Sequence, residues 1–124
     1  MLETIQNFKT VGALLAFCEG SATMLTMFRD GAFCAYFDDK AQDTRIVVEW
    51  RANHCFANIR TLSGYDNEKN QWMKFGREHR LEFASKRGAR ACVDAYKRLA
   101  DALKGYFPNI LSLYRRESGA WYAG

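Results

Sequence analysis

Apolar residues recur along this chain with two periods, and the places where the period changes mark out its elements. Over residues 2–19, Ile5 and Phe8, then Val11, Leu14, Leu15 and Cys18, follow one another at three- and four-residue steps, the spacing of one helical face. Thr10 interrupts or recaps that helix, and Glu19-Gly20 closes it, with glycine in its usual C-terminal role. Residues 23–29 and 32–37 are β-rich runs with Asp30-Gly31 between them. Asp-Gly is a strong hairpin signal, because glycine accepts the positive φ of a type I′ turn. After a polar connection at 38–43, residues 44–51 alternate: Ile46, Val48 and Trp50 on one side, Arg45, Glu49 and Arg51 on the other. One buried face and one wet face is the pattern of an antiparallel strand. Residues 55–62 predict a fourth strand, paired back through Ala52-Asn53-His54.

Residues 63–70 predict a polar loop and 71–75 a fifth strand; a turn at Gly76-Arg77 leads to a sixth at 78–83. The alternative there is a helix beginning at Glu78 and kinking at Gly88. Residues 89–104 predict a helix, with Ala89, Cys92, Tyr96, Leu99 and Leu103 in an apolar stripe and Arg90, Asp94, Lys97, Arg98 and Asp101 opposite. Gly105 and then Pro108 stop it. Residues 109–116 predict a short last helix, and 118–124 a small tail that is free to fray. No linker, repeat or low-complexity stretch divides the chain. The expected fold is a single α+β domain over 1–124. It is a two-layer sandwich whose antiparallel sheet of four to six strands is flanked by an N-terminal helix and a C-terminal amphipathic helix.

Composition narrows the class without naming an activity. The 124 residues are 48% apolar and 15% aromatic, which suits one buried core and excludes disordered, collagen-like and low-complexity proteins. The run at 11–18 is too short to span a bilayer. It also makes a poor signal peptide, since bulky Phe17 precedes Cys18 and Glu3 offsets Lys9 where a basic region is needed. A cytoplasmic protein with no membrane partner is expected. Cys18, Cys34, Cys55 and Cys92 contain no C-x-x-C pair, so neither a zinc ribbon nor a thioredoxin-like site is written, and reduced, mostly buried thiols are expected.

Charge is uneven. Residues 1–73 carry seven basic and nine acidic side chains, whereas 74–124 carry eleven and five. Such asymmetry points to a polyanionic or acidic partner. The Ser-Lys-Arg-Gly run at 85–88 puts Lys86 and Arg87 at the start of the predicted helix, where backbone N–H groups attract anions; a capped, solvated helix start is the plainer reading. Trp72, Lys74, Phe75, Arg77, Arg80 and Phe83 interleave rings and cations as single-strand binders do, although the rings serve a core equally well and no RNP motif is present. Asp38, Asp39 and Asp43 lack the spacing of a known cation loop and read as a solubilising turn. Two histidines cannot make a multi-histidine metal centre, and His54 and Cys55, as strand neighbours, point to opposite faces. Trp121 and Tyr122 either dock back or contact a partner.

The expectation is therefore a non-catalytic binding protein without a cofactor. It engages a protein or nucleic acid with an acidic surface through Lys86, Arg87, Arg90, Lys97, Arg98, Lys74, Arg77 and Trp72. The leading version is an inhibitor or immunity-type protein that occupies an acidic or nucleic-acid-binding site on a larger protein; direct nucleic-acid binding is the alternative. A homo-oligomeric component is a third reading, dimerising through the first hairpin with Met24, Met27, Phe33 and Tyr36. An enzyme would instead show a concave pocket holding His79 or a cysteine with a carboxylate partner.

Overall fold

A computed structural model describes residues 1–53, 55–83, 88–103 and 109–124. Two helices come first, α1 (Leu2–Gln6) and α2 (Val11–Ser21). The predicted single helix divides because Thr10 is extended and its hydroxyl accepts from Ala13 N, capping α2. Five strands follow: β1 (Met24–Phe28), β2 (Phe33–Asp39), β3 (Thr44–Trp50), β4 (Phe56–Asp66) and β5 (Gln71–Glu82). Then come α3 (Gly88–Leu103), β6 (Ile110–Arg115) and β7 (Trp121–Ala123). The fold is α+β, with seven strands where four to six were expected.

The strand order is β5-β4-β3-β2-β1-β6-β7, and every neighbouring pair is antiparallel. The first five strands are a meander. α3 then carries the chain back so that β6 adds to the free edge of β1. The predicted last helix at 109–116 is this strand. Leu111 and Leu113 point into the core at period two, while Ser112 and Tyr114 point away. The expected tail at 118–124 supplies β7, and Trp121 docks with the Arg115 guanidinium 4.0 Å from its ring. The turn expected at Gly76-Arg77 is a bulge inside one long strand: the register slips between Arg60–Glu78 and Leu62–Phe75. Gly76 permits it, because a Cβ there would lie 2.0 Å from Thr61 Oγ1.

One sheet face holds the core. Leu25, Ala35, Val48 and Ile59 form a continuous buried row, and Met27, Phe33, Trp50 and Ala57 form the next. Ile5, Leu14, Leu15 and Cys18 from the first helices, and Cys92, Tyr96 and Leu99 from α3, join the same cluster. Asp30-Gly31 closes the first hairpin, but in a three-residue loop at 29–31 and not in the expected type I′ turn, since only Gly31, at φ +97, has a positive φ there. Gly31 passes close beneath α3, where a Cβ would stand 3.0 Å from Ala89 O. His54, the anion-site pair Lys86 and Arg87, and the helix stops Gly105 and Pro108 lie outside the described residues. No described helix is long and apolar enough to cross a membrane.

Candidate functional site

The basic residues singled out in the sequence fall in two places. Arg90, Lys97 and Arg98 are exposed on α3. Arg90 Nε pairs with Asp94 Oδ1 at 3.1 Å, and Arg98 Nη2 with Glu19 Oε1 at 2.7 Å, so each of these guanidiniums has a carboxylate of its own. Trp72 and Lys74 lie on β5 near its start, the end opposite the terminus that leads to α3, and Arg77 lies in the middle of the strand. Ten residues of strand between Trp72 and Glu82 are about 33 Å. Trp72 therefore stands well away from the strand end that leads to α3.

Around Trp72 the chain builds a cleft of about 530 Å³. β3 begins at Thr44, opposite Ser63, so β4 and β5 outrun it as a two-stranded arm. Gly64, at φ +67, bends the arm, and its N–H donates to Asp43 O. The Asp43 carboxylate, on a residue at φ 50, accepts from Tyr65 N. At the arm's tip Asp66 Oδ1 accepts from the N–H groups of Glu68 and Lys69, fixing the turn. The facing wall is the β2–β3 connection, where Asp39 Oδ1 accepts from Ala41 N and Gln42 N.

Arg45 ties the walls together. Its Nε and Nη2 donate to Asp38 Oδ1 and Oδ2 at 2.6 and 2.9 Å. Its guanidinium lies 4.3 Å from the Tyr36 ring centre and 5.3 Å from that of Trp72. Hydrogen bonding to Asp38 raises the Arg45 pKa further above its ordinary value, and burial raises that of Tyr36. The Tyr65 ring packs on Trp72 at 5.2 Å, while its hydroxyl reaches Asn70 Oδ1 at 3.4 Å. Asn67, Asn70 and Lys40 complete the lining. With Asp38 and Arg45 neutralising each other, Asp39, Asp43 and Lys40 leave the cleft mildly acidic. Among the described residues no cluster of histidine, cysteine and carboxylate side chains is placed to hold a metal ion. The three loop aspartates serve Arg45 and the two turns instead.

Of the residues that make this cleft, the sequence pointed to Trp72 and to the aspartates, but not to Tyr65, Arg45 or Asn70. Their only signal was local: a glycine before an aromatic residue, and an arginine on the wet face of an alternating strand. The first-hairpin patch is also split. Met27 and Phe33 are core residues, 0% and 1% exposed, whereas Met24 and Tyr36 face away from the helices.

The geometry looked for in an enzyme is met once. Cys34 sits directly across from Glu49 in a cleft of about 290 Å³. The electrostatics run against a nucleophile, since burial and then the Glu49 charge push the Cys34 thiol up to about 11. Burial holds Cys92 up at about 12 and Cys18 higher still. His79 pairs with Ile59 at the core-facing edge of the sheet, half-buried. No family model matches the chain, and neither a curated protein nor a solved structure matches it significantly.

Proposed function

We propose that this protein is a non-catalytic binding protein of inhibitor type that docks on a larger protein through the β4–β5 arm and the cleft beside it. The observation that carries this reading is the composition of the cleft. Trp72, Tyr65 and Arg45 converge there outside the core, and tryptophan, tyrosine and arginine are the side chains that dominate protein interfaces. Trp72 and Tyr65 are held by each other and by Arg45, so little side-chain entropy remains to be lost on docking. Met73, 45% exposed, adds apolar surface on the same arm.

The charge of the cleft selects the partner. A polyanion gains little from a site in which Arg45 is already paired and two further carboxylates stand free of it. A protein segment presenting amides or a basic side chain suits it better. Direct nucleic-acid binding through the α3 cations is the second reading, weakened by the pairing of Arg90 and Arg98.

The test begins with capture on the immobilised full chain, followed by calorimetry with the captured protein once purified. Asn67→Arg, which fills the cleft from an exposed turn, and Trp72→Ala should each weaken that binding about tenfold or more, a loss of roughly 1.4 kcal/mol. The Asn67 variant should leave the melting temperature unchanged. Unaltered affinity in both variants, equal to that of the parent chain, would overturn the proposal. So would tight binding of single-stranded or duplex nucleic acid with log K falling by about 0.9 per phosphate contact as log salt rises.

A further inference from the structure

The helices cover one face of the sheet, and the other carries a row of residues in register across all seven strands. Tyr122, Tyr114, Met24, Tyr36 and Val47 occupy β7, β6, β1, β2 and β3, and the row ends in Arg60 on β4 and Glu78 on β5. It is aromatic and apolar over five strands and charged over two. Tyr114 and Tyr122 are 37% and 39% exposed, with their rings 5.7 Å apart and the Arg116 guanidinium 4.5 Å from Tyr122. Carboxylates and guanidiniums alternate over this face: Asp38 pairs with Arg45, and Arg60 lies across from Glu78. A polyanion has no field to follow there.

We infer that this open sheet face binds a second copy of the chain, face to face, about a two-fold axis that runs parallel to the strands over β2. The face borders the cleft beside Trp72, sharing Asp38 and Arg45 with it, but none of the seven residues of the row lines that cleft. β2 is the central strand, so the axis places β1 over β3, β6 over β4 and β7 over β5 of the copy. Along the row Tyr36 then meets its own copy, Met24 comes over Val47, which its own neighbours leave only 4% exposed, Tyr114 meets Arg60, and Tyr122 with its attached Arg116 meets Glu78. Apolar falls on apolar near the axis, and a cation–π contact and an opposite-charge pair fall outside it. The next row obeys the same rule: Cys34 lies on the axis, Thr26 faces Glu49, and Ser112 faces Asn58, two pairs with complementary hydrogen-bonding groups.

Twisted sheets pack about 30° from parallel, so the pairs nearest the axis align best and the outer ones rely on side-chain length. Arg60, Glu78 and Arg116 are long side chains. The area is also adequate. Six strand spacings by five residues is about 29 Å by about 17 Å, roughly 500 Å² in projection. Side-chain relief brings that toward the ~800 Å² per partner of a standard interface.

Sedimentation equilibrium of the full chain across the micromolar range tests the proposal. The mass should rise with concentration from 14.3 kDa to twice that value. Tyr114→Glu should weaken the dimer about thirtyfold or more while the far-UV circular dichroism of the folded chain stays unchanged. Asn67→Arg, in the arm cleft, should leave it intact, which separates this inference from the proposed function. A second readout needs no variant: Cys34 alkylation should slow as protein concentration rises, while Cys55 alkylation does not. A monomer throughout overturns the inference, as does a dimer that leaves Cys34 alkylation unchanged.

Discussion

The Arg115 guanidinium reaches three backbone carbonyls at once. Its Nε donates to Ala22 O at 2.7 Å, Nη2 to Glu19 O and Nη1 to Gly119 O at 2.6 Å, while its face lies on Trp121. Two of those acceptors are carbonyls at the end of α2, groups that a helix leaves without partners. One planar fork therefore caps a helix, fixes the β6–β7 turn and seats a ring; lysine, a point charge, cannot do all three. Arg115→Ala should cost roughly 2–3 kcal/mol in chemical denaturation, since hydrogen bonds from a charged donor contribute about 1.5–3 kcal/mol. Arg115→Lys should recover less than half. Nothing local in the sequence marks this residue, because two of its three acceptors are more than ninety residues earlier in the chain. Trp72 is the opposite case. Its ring stood out in a charged stretch, although the groups that hold it came from elements the sequence could not place beside it.

At the scale of elements, turn chemistry was the most readable feature. Asp30-Gly31 forms the hairpin predicted for it, with Asp30 Oδ1 accepting from Ala32 N and Phe28 N donating to Ala32 O. Gly31 is constrained twice, by its φ of +97 and by α3 above it, where a Cβ would lie 3.1 Å from Val93 Cγ2. Gly31→Ala should therefore destabilise by about 2–3 kcal/mol, the sum of left-handed strain and a contact that rigid helix backbone cannot relieve. Thermal unfolding measures it. If the loss stays below about half a kcal/mol, within the scatter of surface substitutions, then α3 does not sit where the structure puts it. The strand β6 was mistaken for a helix because Ile110, Leu111, Leu113 and Tyr114 satisfy helical spacing as well as strand alternation over so short a window. Pairing with β1, more than eighty residues away, decides between them.

At the scale of the whole molecule, the core holds the Cys18 and Cys92 thiols protonated. Cys18 and Cys92 are 0% exposed, and burial raises both pKa values above the ordinary 9.0, Cys92 to about 12. In the unfolded chain these thiols lose protons near pH 9, so above that pH the folded state binds more protons than the unfolded one. The stability they contribute is complete below pH 9 and declines as pH rises toward 12. The slope is at most about 1.4 kcal/mol per pH unit for each thiol. Denaturant midpoints should accordingly fall between pH 9 and pH 11, and less steeply in Cys92→Ala. An equal slope in that variant would refute the assignment. The charge asymmetry of the sequence behaves differently at this scale. It is real as a count, but among the described residues folding pairs two of those cations, Arg90 and Arg98, with carboxylates.

What the sequence by itself determined was local. Periods of 2 and 3.6 in the apolar residues, glycine in turns and a capping threonine fixed the α+β class, the β1–β4 meander and the long amphipathic helix, because those signals act between residues a few positions apart. Tertiary structure decided the rest. It set the strand count, the return of β6 to the edge of β1, which sheet face the helices cover, and the meeting of Arg45, Tyr65 and Trp72. Each of these depends on contacts between distant segments, where backbone pairing and buried area, not spacing along the chain, choose the outcome.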